Sequence, residues 1–205
     1  MKPRYWTQAT RELSARDPVL KKLIAQHKGI TLGSRGDAFQ TLARAIVGQQ
    51  ISVKAAQSVW DRFAGAHAAV TPPVIAASSV EKLRACGLSG QKSGYLLDLA
   101  SRFADGRLQS AHWTRMGDEA LIEELIQVKG IGRWTAEMFM IFNLTRPDIL
   151  PVGDLGLQKA MTMNYNRGRK VTPARMQRIG ATWSPWRSVA TWYMWRSLDP
   201  IAVEY

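Results

Sequence analysis

Apolar residues recur along most of this chain at intervals of three and four, which is the spacing of one face of an α-helix. Between Phe39 and Val47 the apolar positions are 39, 42, 43, 46 and 47. The same kind of spacing predicts further helices over three ranges: 52–63, 92–103 and 185–198. Alternation with a period of two, the pattern of half-buried strands, does not appear in any convincing run. The sequence therefore predicts an all-α fold.

Capping residues mark several expected helix starts. Ser78 or Ser79 is predicted to cap a helix that runs through Cys86, and Asp118 is predicted to cap a helix with Leu121, Ile122, Leu125 and Ile126 on its buried face. Thr172-Pro173 and Ser184-Pro185 each match an N-cap followed by proline at the first helical position.

The stretch from Thr145 to Gly156 departs from the helical pattern. It holds two prolines and two glycines among apolar residues, which predicts a loop that runs close to the core. Asp154 lies in this loop, and a partly solvated carboxylate there can stabilise developing positive charge or orient a water. The same aspartate is also a suitable N-cap for a helix that begins at Leu155. The two roles are compatible.

A turn built around Gly130-Ile131-Gly132 joins two apolar helical stretches. Its tightness predicts that glycine is needed on both sides of Ile131. The first N–H groups after the turn are suited to hold a phosphate, and Lys129 and Arg133 would add positive charge. The alternative interpretation is a simple corner between two helices.

The overall charge favours a polyanionic partner. The chain has 205 residues, 46% of them hydrophobic and 21% charged, and a formal net charge of +12. Such an excess fits nucleic acid or an acidic membrane surface. No stretch of about 18 apolar residues is present, so no membrane span is expected. The start of the chain lacks the apolar run of a secretory signal, which predicts a cytoplasmic setting.

Cysteine and tryptophan usage narrow the chemistry. Cys86 is the only cysteine, which excludes an internal disulfide and a four-cysteine zinc or iron–sulfur site. Its helical spacing predicts a core position. The chain has eight tryptophans, and several crowd the last predicted helix. Aromatic stripes usually belong to the core, but Trp192 and Trp195 lie beside the main stripe and are predicted to wall a pocket for a flat base.

Three segments, in this order and spacing, resemble the helix-hairpin-helix DNA glycosylase superfamily, specifically its alkylated-base branch, DNA-3-methyladenine glycosylase II. The resemblance runs over about residues 35–198. The segments that carry it are Ala-Ile-Val-Gly-Gln-Gln-Ile-Ser (45–52), Val-Lys-Gly-Ile-Gly-Arg-Trp-Thr-Ala (128–136) with Leu-Pro-Val-Gly-Asp-Leu-Gly-Leu (150–157), and Trp-Ser-Pro-Trp-Arg-Ser-Val-Ala-Thr-Trp-Tyr-Met-Trp (183–195).

The resemblance implies one glycosylase domain over 1–205, with two helical lobes, the hairpin and an active-site cleft between them. One lobe would hold about residues 36–145, and the other 1–35 with 146–205. Asp154 would be the catalytic aspartate. The residues expected in the base pocket are Trp134, Trp195, Trp192 and Met138. The residues expected to contact DNA are Gly130, Gly132, Lys129, Arg133, Thr135, Lys54 and either Gln50 or Ile51 as the wedge. A Na⁺ or K⁺ ion would bind the main-chain carbonyls of Ile126, Val128 and Ile131.

Trp134 lies where strand-cutting relatives of this superfamily carry a lysine that forms a Schiff base. The resemblance therefore implies a monofunctional enzyme of base excision repair. This enzyme would flip out alkylated purines of the 3-methyladenine or 7-methylguanine type and hydrolyse the N-glycosidic bond, leaving an abasic site. No cofactor is expected, and a single cysteine excludes the iron–sulfur cluster of some members.

The expected partner is double-stranded DNA with damaged bases, bound by a monomer in the bacterial cytoplasm or nucleoid. One alternative is a non-enzymatic helix-hairpin-helix protein that binds DNA structure. Another is a glycosylase of the same fold for mismatched or oxidised bases. The sequence leaves open the preferred lesion and the role of Arg187, which either binds a loop carboxylate or lines the cleft.

Overall fold

A computed structural model of the protein describes residues 2–34 and 36–198. These residues form α-helices and no β-strand, which confirms the predicted all-α fold for this part of the chain. In chain order the described helices are α1 (Trp6–Arg16), α2 (Pro18–Gln26), α3 (Ala38–Gly48), α4 (Val53–Gly65), α5 (Pro72–Ala76), α6 (Val80–Ala85), α7 (Gly90–Ala104), α8 (Ser110–Trp113), α9 (Asp118–Leu125), α10 (Arg133–Phe142), α11 (Leu155–Tyr165), α12 (Pro173–Ala181) and α13 (Arg187–Arg196). No described helix is long and apolar enough to cross a bilayer.

The described residues divide into two compact units. Residues 2–34 with 140–198 form the terminal unit, and residues 36–139 form the hairpin unit. Helix α10 begins in the hairpin unit and ends in the terminal unit. The lobe boundary near residue 145 and the cleft between the lobes stay predictions.

In the hairpin unit, α7 packs against α3, α5 and α6, and α3 also packs against α4. The stripe predicted from Phe39 to Val47 is the buried face of α3. Phe39 meets the edge of Phe103 with ring centroids 5.5 Å apart. Cys86 is buried as predicted, and its thiol donates to the carbonyl oxygen of Lys82 at 3.4 Å.

In the terminal unit, α13 packs against α1, α2 and α11. Every residue of α13 from Ser188 to Arg196 is buried. A helix surrounded by protein can carry large apolar residues on all faces. This central position explains why aromatic residues in α13 are not confined to one stripe.

Of the caps predicted for α6, α9, α12 and α13, two are confirmed and two are wrong. Ser79 accepts the N–H of Lys82 at the start of α6, and Thr172 accepts that of Arg175 at the start of α12. Asp118, however, is the first residue of α9, and Gly117 is the N-cap. The carboxylate of Asp118 lies in the first helical turn, where it interacts favourably with the helix dipole.

The last helix begins at Arg187, so the predicted start at Ser184-Pro185 is wrong. The Ser184 hydroxyl donates to Asp148 Oδ2 at 2.9 Å. Asp148 Oδ1 in turn accepts the backbone N–H of Arg187 at 3.2 Å. A carboxylate from a distant loop therefore binds the N-terminus of α13, a contact that local sequence does not reveal.

Candidate functional site

The hairpin turn between α9 and α10 requires glycine at one position. Gly130 has φ +82°, a left-handed conformation that L side chains rarely adopt. A Cβ atom added to Gly130 would also overlap the ring of Tyr95. Both the backbone angle and the packing therefore exclude any larger residue at Gly130.

Gly132 does not share this constraint, which corrects the prediction that the turn needs both glycines. Its φ is not positive, and a Cβ atom added there would meet nothing within 4 Å. Its carbonyl oxygen accepts the N–H of Ala136 at 3.0 Å, so Gly132 directly precedes the first turn of α10. The open space beside this exposed glycine permits another molecule to approach the backbone closely.

The charge at the hairpin is smaller than predicted. Arg133 forms a bidentate pair with Glu119, at 2.8 and 2.6 Å, and contacts Glu137 at 3.2 Å. The hydrogen bond from Arg133 lowers the pKa of Glu119, and the reciprocal contact raises the pKa of Arg133. Since carboxylates compensate the guanidinium, the expected extra charge falls on exposed Lys129, whose backbone N–H donates to Asp98.

The turn between α3 and α4 presents the two candidate wedge residues. Gln50 is exposed and has φ +57°, an uncommon angle for a residue other than glycine. Ile51 is 40% exposed, so both side chains face solvent and the choice of wedge stays open. Ser52 caps α4, and Lys54 is exposed in its first turn. A residue other than glycine that is held at a positive φ, as Gln50 is, is found most often at functional sites.

Part-buried polar contacts tie this wedge turn to the hairpin and to α7. The Gln49 side-chain amide donates to the carbonyl oxygen of Gly130 at 2.8 Å. The ammonium of Lys92 donates to the carbonyl oxygens of Val47 and Gln49 at 2.8 and 2.7 Å. Burial lowers the pKa of Lys92. Sequence reasoning missed both residues, because their partners lie far away along the chain.

The other hairpin residues differ in exposure. Trp134 is 41% exposed on the first turn of α10, whereas Thr135 and Met138 are buried. Among the proposed cation ligands, the carbonyl oxygen of Val128 already accepts the N–H of Ile131 at 3.0 Å. A carbonyl oxygen has a second lone pair, so Val128 can still join Ile126 and Ile131 around a monovalent ion. The cation stays a prediction.

Asp154 is the N-cap of α11, as its position before Leu155 allows. Its Oδ1 accepts the backbone N–H of Leu157 at 2.6 Å and the indole N–H of Trp195 at 2.8 Å. The residue is only 8% exposed. These two donors hold a buried carboxylate in a fixed orientation.

The backbone after Asp154 is shaped around this pair. A Cβ atom added to Gly156 would lie 3.1 Å from Asp154 Oδ1 and 3.2 Å from Trp195 Cδ1. Leu155, between the two, is 78% exposed. Because Gly156 has no side chain, the Trp195 indole has room against the Asp154 carboxylate. The Leu155 side chain, beside Asp154, faces solvent.

The two predicted pocket tryptophans of α13 differ. Trp195 is 7% exposed and stacks on Phe142, with ring centroids 5.6 Å apart and an interplanar angle of 15°. Trp192 meets the edges of Trp6 and Tyr193 and lies under the guanidinium of Arg196. This packing surrounds Trp192 with side chains of the terminal unit, and its assignment to a base pocket stays a prediction.

Arg187 binds a loop carboxylate, the first of the two roles that the sequence left open. Its Nε and Nη2 donate to the two oxygens of Asp148 at 2.7 and 3.0 Å. Next to this pair, the N–H of Ile149 donates to the hydroxyl of Ser188 at 2.9 Å. The loop that leads to Asp154 is thereby fastened to the start of α13, the helix that supplies Trp195.

This combination of an all-α fold, a glycine hairpin and a rigid buried aspartate defines a class of DNA repair protein. The chain belongs to the HhH-GPD superfamily of base excision DNA repair proteins, whose family model matches residues 43–186.

Among curated proteins, the chain is 31% identical to DNA-3-methyladenine glycosylase 1 of Schizosaccharomyces pombe, over 83% of this chain and 77% of that protein. It is 28% identical to the putative DNA-3-methyladenine glycosylase YfjP of Bacillus subtilis, spanning 66% of that protein's length.

Two solved structures of glycosylases are also similar to this chain. A DNA-3-methyladenine glycosidase from Bacillus halodurans has a TM-score of 0.87 and 33% identity, with 96% of this chain and 92% of that chain covered. The 3-methyladenine DNA glycosylase Mag1 of S. pombe, solved in complex with abasic DNA, has a TM-score of 0.80 and 30% identity, with 96% and 100% covered.

Proposed function

We propose that this protein is a monofunctional DNA glycosylase of base excision repair that releases alkylated purines of the 3-methyladenine or 7-methylguanine type. The observation that carries the proposal is the Asp154 carboxylate, buried at the start of α11 and held by Leu157 and Trp195. Membership of the HhH-GPD superfamily and the similarity to 3-methyladenine glycosylases support the substrate class.

The chemistry suits a carboxylate that is already ionised and fixed. Alkylation at N3 or N7 leaves the purine positively charged, so the base departs with the bonding electrons and becomes neutral. The sugar develops oxocarbenium character as the N-glycosidic bond breaks. Asp154 stabilises this charge, orients a water toward C1′ and receives the proton as the hydroxyl is added.

Indole rings are suited to distinguish an alkylated purine from a normal base. The electron-rich face of tryptophan attracts a cationic ring more strongly than a neutral one. Trp195 places an indole directly against Asp154. Trp134 offers an exposed indole on the hairpin unit, and its assignment to the base pocket rests on the family resemblance. A base with weakened pairing also costs less to flip out of the duplex.

The absence of strand cleavage rests on Trp134. An indole cannot form the Schiff base through which a lysine at this position cuts the strand. The expected product is therefore an intact strand with one abasic site. Borohydride reduces a Schiff base to a permanent link, so borohydride treatment during turnover should yield no protein–DNA adduct.

The decisive experiment is single-turnover base release from a duplex with one 7-methylguanine. Asp154→Asn keeps an oxygen that can accept the Leu157 N–H but removes the negative charge, so we expect the rate to fall at least about a thousandfold. Glu81→Gln, which removes an exposed carboxylate from α6, is the control for loss of a negative charge. Full release by Asp154→Asn would overturn the role of Asp154. DNA binding without release of any alkylated base by the unmodified protein would favour the non-enzymatic alternative.

A further inference from the structure

The excess positive charge of this protein is concentrated in the terminal unit. Residues 2–34 and 140–198 contain sixteen Lys and Arg against four Asp and Glu. Residues 36–139, which include the hairpin, contain eleven against ten. From Leu155 to Leu198 the sequence has eight basic residues and no carboxylate. The hairpin alone therefore does not explain the basic character of the chain.

Five of these basic residues are exposed within one short stretch of the chain, the 167–178 segment. It follows α11 and extends into α12, and its charged members are Arg167, Arg169, Lys170, Arg175 and Arg178. Among the residues that the structure describes, none of the five forms an ion pair with a carboxylate. Uncompensated arginines and lysines on one short segment are typical of a surface that binds a phosphate backbone.

The backbone of this segment is held in place. Asn166 Nδ2 donates to the carbonyl oxygens of Arg169 and Lys170 at 2.5 and 3.3 Å. The N–H of Gly168 donates to the Thr162 carbonyl at 3.0 Å, and the N–H of Val171 donates to the hydroxyl of the same threonine at 3.3 Å. Arg167, Arg169 and Lys170 thus project from a loop whose backbone is fixed, which reduces the entropy lost on binding.

Arg175 and Arg178 border an open depression of about 410 Å³ that Tyr165 and Asp17 also line. The carboxylate of Asp17 already has four donors. They are the N–H groups of Val19 and Leu20 at 2.9 and 3.1 Å, the Tyr165 hydroxyl at 2.7 Å and the Trp183 indole at 3.2 Å. Asp17 is only 8% exposed, so the exposed charges on the rim are those of the two arginines.

We propose that the 167–178 segment is a second DNA-backbone contact, which binds phosphates of the duplex flanking the lesion. The proposal rests on the proposed function, because it takes Asp154 as the position of the flipped nucleotide. Asp154 and this segment lie at opposite ends of α11. That eleven-residue helix is roughly 16 Å long. A DNA strand advances about 3.4 Å per phosphate, so the segment would contact phosphates about five nucleotides from the flipped base.

The test compares two double variants by fluorescence anisotropy with a duplex that contains a stable abasic analogue. Arg169→Gln/Lys170→Gln removes two charges from the segment. Lys82→Gln/Arg84→Gln removes two exposed charges from α6 and is the matched control. One duplex has about twelve base pairs on each side of the abasic position. A second duplex has about three base pairs on each side and is closed at its ends by DNA loops.

On the long duplex, the segment variant should bind about tenfold more weakly than the unmodified protein at low salt. For this variant, the slope of log K against log salt concentration should be smaller in magnitude by between about 1 and 2. The short duplex and the control variant should show neither change. Thermal unfolding of each variant reports separately on folding.

Three outcomes would overturn the proposal. Equal weakening by the control variant would mean that only net charge matters. Equal weakening on both duplexes would place the contact at the lesion itself. Unchanged duplex affinity, with reduced binding to vesicles of anionic phospholipid, would assign the segment to a membrane surface.

Base release is measured separately, so the two proposals can fail independently. Release from methylated duplex with no effect of the segment variant on binding would reject only the second contact. The expected binding changes in a protein that releases no base would reject only the glycosylase function.

Discussion

The indole N–H of Trp195 donates to Asp154 Oδ1 at 2.8 Å, and this oxygen is the one that caps α11. One carboxylate oxygen therefore has two fixed donors. The orientation of the group depends on an aromatic ring from α13 as well as on the helix that it starts. Trp195 is thus a positioning residue for Asp154, in addition to its expected stacking on the base.

The first prediction concerns this hydrogen bond. Trp195→Phe keeps an aromatic ring but removes the donor, and we expect base release to slow by about tenfold to a hundredfold. Trp186→Phe is the matched control, since its indole donates to Glu12 Oε2 at 2.8 Å in the same unit. It should leave the rate of release unchanged. Equal slowing in both variants, measured by single-turnover kinetics, would show a general loss of packing.

The second prediction separates the two hairpin glycines. Gly130→Ala should lower the free energy of unfolding by about 1–3 kcal/mol, because φ is +82° and the new methyl group meets Tyr95. Gly132→Ala should leave that free energy within about 0.5 kcal/mol, since the site is open. If a DNA backbone approaches Gly132, its alanine variant should nevertheless bind duplex more weakly. Urea unfolding and anisotropy measure the two effects, and equal stability of the two variants would contradict this account.

A third prediction tests the contacts that tie the wedge turn to α7 and to the hairpin. Lys92→Met removes the donor to the carbonyl oxygens of Val47 and Gln49 and should lower stability by about 1–3 kcal/mol. Gln49→Ala removes the contact with Gly130 and should weaken binding to an abasic duplex. Lys82→Met, on the exposed face of α6, is the control and should change neither property. Normal duplex binding by Gln49→Ala would show that the hairpin holds its shape without this contact.

The fourth prediction is a pH dependence. The hydrogen bond from Trp186 is the largest cause that lowers the pKa of Glu12 below its usual 4.5. A carboxyl group with a lowered pKa in the folded state stabilises the fold above its unfolded pKa, and this contribution is lost as the pH falls through the folded pKa. Trp186→Phe should therefore be less stable than the unmodified protein at pH 7, with a smaller difference at pH 3. A difference that stays constant over this range would exclude the contact with Glu12 as its cause.

Local patterns in the sequence predicted much of the fold. The stripe from Phe39 to Val47 needs only helical periodicity, and it forms the buried face of α3. Ser79, Thr172 and Asp154 act as caps because each directly precedes a helix and has a side chain that can reach its first turn. Such features depend on neighbours a few residues away.

The contacts that shape the candidate site are of a different kind. Trp195 and Asp154 are 41 residues apart, Arg187 and Asp148 are 39 apart, and Gln49 and Gly130 are 81 apart. Each depends on the path of the whole chain, which no local pattern contains. The correction for Arg133 has the same origin, because Glu119 reaches it from another helix. The roles of Trp134 and Asp154 came from the family resemblance and not from periodicity.

The burial of Cys86 has a consequence for the conditions in which the protein works. A repair enzyme for alkylated DNA operates while alkylating agents are present, and a thiolate is the side chain that such agents modify most readily. The only thiol in the chain is 4% exposed and donates to a carbonyl oxygen of α6, the helix that it follows. The protein is thereby shielded, at its most nucleophilic atom, from the reagents whose damage it removes.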